Sequence, residues 1–92
     1  MERAKRQYKE EVDRINKELA QLIIDEMMEN AWHALRNEAI ASEENATKKA
    51  LLRDNEDRRH RQRRAEIDTS RDRLRGDLQR SRDQLEEEFK KD

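Results

Sequence analysis

The chain contains no proline and a single glycine among its 92 residues, so it lacks the two residue types that most often interrupt a helix. Nothing in the sequence favours strands. Charged residues make up 49% of the chain, and 22 basic residues nearly balance 23 acidic ones. Balanced, interleaved charge suits an exposed helix with many ion pairs one turn apart. The sequence therefore predicts an all-α fold of long amphipathic helices that form a coiled coil or a helical hairpin.

The apolar content is low for a folded chain of this length. Apolar residues make up 32% of the sequence, whereas a typical globular domain contains roughly 45–50% when glycine is counted. A compact monomer would bury too little apolar surface, and the absence of cysteine removes disulfide bonds as a substitute. We therefore expect an oligomer, most simply a dimer that forms a helical bundle.

The main apolar stripe lies in the first predicted segment, residues 1–41. Its first part has the alternating spacings of three and four residues that a coiled-coil seam requires. The stripe then widens over residues 22–35, so that it can contact more than one neighbouring helix. We predict that this stripe is an oligomer or partner interface, formed by Val12, Ile15, Leu19, Leu22, Ile23, Met27, Trp32 and Leu35.

Two interpretations of the widest part of the stripe stay open. Tryptophan and methionine are frequent at protein interfaces, so Met27, Met28 and Trp32 suit a patch that binds another protein. The same residues suit the core of a homo-oligomer. Both interpretations predict that Trp32 is buried in the assembled state.

The second predicted segment, residues 42–92, is more highly charged. Ser42 is predicted to cap the N-terminus of its helix. No glycine closes the preceding helix, so a turn and an unbroken helix both stay open at this point. A partial capping pattern of Thr69 and Asp72 marks a second place, near Asp68, where the helix can be interrupted. A weak heptad seam over residues 67–89 is formed by Ile67, Leu74, Leu78, Leu85 and Phe89.

Residues 58–64 contain five arginines and no acidic residue. Guanidinium groups bind phosphate oxygens in pairs, and a dense group of them displaces counterions from nucleic acid. Through Arg58-Arg59-His60 and Arg63-Arg64-Ala65-Glu66 the segment resembles the RNA-hairpin-binding peptides of lambdoid phage antiterminators, which implies RNA binding. An acidic protein partner, or a solvated surface neutralised by neighbouring acids, explains the same residues. The candidate phosphate-binding or acidic-partner-binding residues are Arg58, Arg59, Arg61, Arg63 and Arg64.

Two glutamate–histidine pairs are the only residues with metal-ligand spacing. Glu29 and His33, like Glu56 and His60, stand four residues apart and share a helix face. Ordinary surface pairs explain both, and the arginines around His60 repel cations. No nucleophile with a neighbouring base can be assembled, and there is no glycine-rich phosphate loop. We therefore expect no catalytic residues, no metal site and no cofactor.

The sequence favours a non-enzymatic scaffold or protein-interaction module that self-associates through its first helix. The alternative is an RNA- or DNA-binding adaptor that uses residues 58–64. A third interpretation is a segment of a longer coiled coil, because residues 72–78 resemble the periplasmic stalk of phage inner-membrane spanins, whose membrane anchor and cysteines are missing here. No apolar run approaches the roughly 18 residues that cross a bilayer, and no signal-peptide core follows Met1. We expect no membrane insertion and a location in the cytoplasm or nucleus.

Overall fold

Two long helices make up nearly all of the structure, a computed structural model that describes residues 1–91. Helix α1 spans Glu2–Ala41 and helix α2 spans Ala46–Lys91, and no strand occurs among the described residues. The prediction of an all-α fold built as a helical hairpin is confirmed. Asp92, the last residue of the second predicted segment, lies outside the described residues. Neither helix is long and apolar enough, within the part of the chain described, to cross a lipid bilayer.

A short turn at residues 42–45 joins the helices. Asn45 caps α2, because its Oδ1 accepts a hydrogen bond from the backbone N–H of Lys48 at 2.9 Å. The prediction that Ser42 is this cap is wrong. The Ser42 hydroxyl instead donates to the carbonyl oxygen of Glu38, at the end of α1. The side chains of Asn45 and Ser42 thus each form a hydrogen bond with a backbone group that a helix end leaves without a partner.

Helix α2 is unbroken at the second place where the sequence predicts a possible interruption. It runs through Asp68 and the two following residues with helical geometry. Ile67 and Leu74, seven residues apart on the same side of α2, are only 1% and 2% exposed. Their burial holds this stretch helical, and Gly76 is accommodated further along the helix without a positive φ.

The chain divides into two compact units, and the described part of unit 1 combines residues 1–22, at the start of α1, with residues 69–91, the end of α2. The ammonium group of Lys5 lies 6.0 Å from the centre of the Phe89 ring, as expected when the two helix segments run antiparallel. The interior of unit 1 is apolar. Ile15 and Leu74 are buried, and around them lie the half-buried side chains of Val12, Leu19, Leu78 and Leu85.

Unit 2, which comprises Ile23–Asp68, contains the end of α1, the turn and the start of α2. Its interior is largely charged, because two of its four buried side chains are glutamates. Each helix directs the same residue types inward at the same spacing: a glutamate, a histidine four residues later and an isoleucine seven residues after that. These residues are Glu29, His33 and Ile40 in α1, and Glu56, His60 and Ile67 in α2.

Candidate functional site

A strip of apolar side chains covers the outward side of α1 in unit 2. Six large side chains have exposed fractions between 50% and 66%. Most of them lie on the side of the helix away from Glu29, which is buried at 6% exposure. They therefore contribute little to the contact with α2. We call this strip the α1 apolar face, and it consists of Ile23, Ile24, Met27, Met28, Trp32 and Leu35.

Arg59 of α2 joins the two helices inside unit 2. Its guanidinium donates to both carboxylate oxygens of Glu29, at 2.9 and 2.8 Å. The same group donates to both carboxylate oxygens of Glu56, each at 2.8 Å. Paired arginine–carboxylate bonds of this kind are among the strongest hydrogen bonds in proteins. We call the surrounding group the Arg59 cluster, which consists of Glu29, His33, Arg36, Glu56, Arg59 and His60.

The two histidines of the Arg59 cluster bond across the hairpin. His60 Nδ1 donates to Glu29 and His33 Nδ1 donates to Glu56, each at 2.8 Å. Their rings stack with centroids 3.8 Å apart and an interplanar angle of 9°. Asn37 Nδ2 lies 3.1 Å from His33 Nε2. Each glutamate thus bonds the histidine of the opposite helix and not the one four residues along its own helix. Among residues 1–91, no three or more histidine, aspartate or glutamate side chains group as metal ligands.

The Arg59 cluster keeps its carboxylates ionised. Hydrogen bonds from Arg59 lower the pKa of Glu29 from 4.5 to about 2, with a smaller contribution from His60, although burial acts in the opposite direction. The pKa of Glu56 falls to about 2 for the same reason, with help from His33. In return, the two carboxylates raise the pKa of Arg59. Charge pairing therefore outweighs burial at both glutamates.

The five candidate arginines have different partners. Arg58 pairs with Asp54 on the exposed surface of α2, and Arg61 takes part in none of the ion pairs found within residues 1–91. The other three pair across the hairpin with acids of α1: Arg59 with Glu29, Arg63 with Asp25 and Arg64 with Glu26. Much of the positive charge of residues 58–64 is therefore neutralised within unit 2.

A groove of about 500 Å³ extends the α1 apolar face toward the turn. Its apolar lining comes from Ala39, Ile40 and Leu52, and its polar lining includes residues of the Arg59 cluster. Ala39 lies one helical turn beyond Leu35, so the groove continues the α1 apolar face. Unit 2 thus offers an apolar surface wider than a single narrow stripe.

The structure divides the predicted α1 interface into two groups. The first group is buried or half-buried, and the second group is exposed in unit 2. Only the second group is open to another molecule. The first group is Val12, Ile15, Leu19 and Leu22, and the second is Ile23, Met27, Trp32 and Leu35.

Sequence reasoning missed the Arg59 cluster, although a signal for it exists. The spacing of glutamate, histidine and isoleucine in residues 29–40 recurs 27 positions later in residues 56–67. When two antiparallel helices carry such a pattern, each glutamate can lie opposite the other helix's histidine. The role of Arg59 has no comparable signal, because nothing distinguishes it from the four arginines around it.

Comparison of the chain with protein-family models, with curated proteins and with solved structures finds no match. The function of the chain is therefore inferred from its geometry alone.

Proposed function

We propose that the chain is a non-enzymatic scaffold or protein-interaction module that self-associates through the α1 apolar face. One observation carries the proposal: six large apolar side chains are exposed on α1, while charged groups occupy the α1–α2 contact beside them. Contiguous exposed apolar patches of this kind mark interaction sites on proteins. The proposed partner is a second copy of the chain, and the proposed assembly is a dimer that forms a helical bundle.

The hairpin cannot bury the α1 apolar face by itself. Rotating α1 to turn Met28 or Leu35 toward α2 would remove Glu29 from Arg59. A buried or half-buried charge that loses its partner destabilises a protein by several kcal/mol, about 3–5 in measured cases. The Arg59 cluster thus fixes the rotation of α1 and leaves its apolar side for another molecule.

The size of the α1 apolar face sets the expected affinity. Complete burial of one such side chain stabilises by about 1.5–3 kcal/mol, so a half-exposed one retains roughly 1 kcal/mol, or about 12 kcal/mol for two copies of six. Association costs at least about 4 kcal/mol. We therefore expect a dissociation constant of about 1 μM or weaker.

Sedimentation equilibrium from about 1 μM to about 1 mM, with circular dichroism on the same samples, tests this proposal. We expect a helical dimer that dissociates on dilution. Trp32→Asp and Leu35→Asp should each weaken association by tenfold or more, since burying an unpaired carboxylate costs more than about 1.4 kcal/mol.

Leu51→Asp is the matched control. Leu51 is 61% exposed, but it lies on α2 and outside the α1 apolar face. The same substitution there should leave association unchanged. A dimer that tolerates both α1 substitutions contradicts the proposed interface. A monomer over the whole concentration range contradicts self-association and turns attention to a different protein partner.

The nucleic-acid alternative has a separate test. Its affinity for RNA or DNA should fall steeply with salt, with a slope that scales with the number of neutralised phosphates. Replacement of all five arginines of residues 58–64 by glutamine should abolish that affinity. The ion pairs of Arg59, Arg63 and Arg64 with acids of α1 favour the scaffold over this alternative. A location in the cytoplasm or nucleus stays a prediction from sequence.

A further inference from the structure

The centre of the α1 apolar face has the spacing of a helix-pairing seam. Ile24, Met28, Ala31 and Leu35 follow one another at intervals of four, three and four residues. On an ideal helix they lie about 100–160° from Glu29, on the side away from α2. All four are exposed. None of these four residues occupies an inward-facing position of α1, and all four belong to unit 2.

The seam contains one small side chain, Ala31, among three large ones, and this arrangement suits one orientation of two helices. If two copies of α1 run antiparallel about a point between Met28 and Ala31, each Met28 faces Ala31 of the second copy. Each Ile24 then faces Leu35 of the second copy. Each of the two central pairs therefore combines one large side chain with one small one. The two pairs have equal volume, as close packing requires.

A parallel arrangement packs the same residues poorly. In register, Ala31 faces Ala31 and Met28 faces Met28 of the second copy. The alanine pair leaves a gap, which destabilises the contact, and the methionine pair crowds the neighbouring layer. Antiparallel pairing avoids both defects without moving any side chain away from the seam.

We propose that two copies of the chain pair through α1 in an antiparallel orientation, with Ile24 of each copy beside Leu35 of the other. This inference rests on the proposed self-association and specifies its geometry. The contact is isologous, because a two-fold axis between Met28 and Ala31 places the same surface of both copies in contact. The assembly therefore closes as a dimer and does not extend into a filament.

Disulfide formation tests the register, and the absence of cysteine in the chain gives every engineered thiol a clean background. Ile24→Cys and Leu35→Cys variants, distinguished by an added mass tag on one of them, are mixed in equal amounts and oxidised. Cysteine is itself a small apolar residue, so each change leaves the seam apolar. Bonded cysteines need Cα atoms within about 7 Å, whereas two Ile24 positions lie about 16 Å apart along the helices in the proposed register.

The mixed disulfide should exceed either self-disulfide by about tenfold or more, because only the mixed pair lies within bonding distance. A Leu51→Cys variant, exposed on α2, should crosslink with neither. Sedimentation of the original chain is measured alongside. If it is monomeric, the proposed self-association fails, and this inference fails with it. If the chain is a dimer but the self-disulfides dominate, or no disulfide forms, the antiparallel register is overturned and self-association stands.

Discussion

Replacement of Arg59 by methionine should destabilise the hairpin of unit 2 more than any other single arginine substitution in residues 58–64. Methionine keeps the unbranched stem of arginine and removes the charged group. Glu29 and Glu56 then stay buried, at 6% and 5% exposure, without the guanidinium that donates to all four of their oxygens. The histidines alone cannot replace these bonds.

The expected loss follows from the glutamate pKa values. A fall in the pKa of one glutamate from 4.5 to about 2 corresponds to roughly 3 kcal/mol of stabilisation of its ionised carboxylate near neutral pH, at about 1.4 kcal/mol per pKa unit. The two shifts share one arginine and do not add. Arg59 is 34% exposed, so water screens part of its field. We expect Arg59→Met to lower the free energy of unfolding by about 2–3 kcal/mol.

Urea unfolding followed by circular dichroism, at one fixed protein concentration, measures this loss. The folded pKa of each glutamate lies below its unfolded value, so the stabilisation is present above about pH 4.5 and disappears as the pH falls through about 2. The difference between the original chain and Arg59→Met should shrink over the same window. Arg61→Met is the matched control, with an expected change below about 0.5 kcal/mol. Equal effects of the two substitutions, or a difference that persists in strong acid, would refute the reasoning.

Three further predictions concern other parts of the chain. Asn45→Ala should lower the free energy of unfolding by about 1 kcal/mol in urea titrations, because it removes the cap of α2, while Ser42→Ala should have little effect. Gly76→Ala should raise the thermal midpoint and stabilise by about 0.5–1 kcal/mol, since a helical glycine is unfavourable. The added Cβ meets only the Arg80 guanidinium, at 3.6 Å, an ordinary contact. The fluorescence emission of Trp32 should shift to shorter wavelength as the concentration rises through the dimer dissociation constant, and an unchanged spectrum in a proven dimer would contradict burial of Trp32.

The helices could be predicted from the sequence because few residues interrupt them. Without proline, and with one glycine inside a helix, the weak signals near Ser42 marked where a turn could lie but left an unbroken helix equally open. The location of the cap was less predictable. Ser42 and Asn45 are both common capping residues, and which of them caps depends on the path of the turn.

The side of α1 that packs against α2 could not be predicted throughout the helix, because hydrophobicity alone does not show which charged residues are buried. Ile15, Leu22 and Glu29 follow one another at intervals of seven residues. The inward-facing side of α1 therefore passes from apolar residues to a glutamate. A helical periodicity argument assigns that glutamate to solvent. Only the arginine and histidine of the opposite helix make its burial favourable, and they lie about 30 residues away in sequence.

The repeated pattern of glutamate, histidine and isoleucine gives the interior of unit 2 a local two-fold pseudosymmetry, in which each of these residues in α1 corresponds to the same residue type 27 positions later in α2. The exchange that relates Glu29 to Glu56 also relates Trp32 to Arg59. That pair breaks the symmetry: the arginine clamps both carboxylates, while the tryptophan is 54% exposed. Trp32 and Arg59 are thus one of several equivalent pairs that distinguish the first helix from the second, as are Met28 and Asn55, or Leu35 and Gln62.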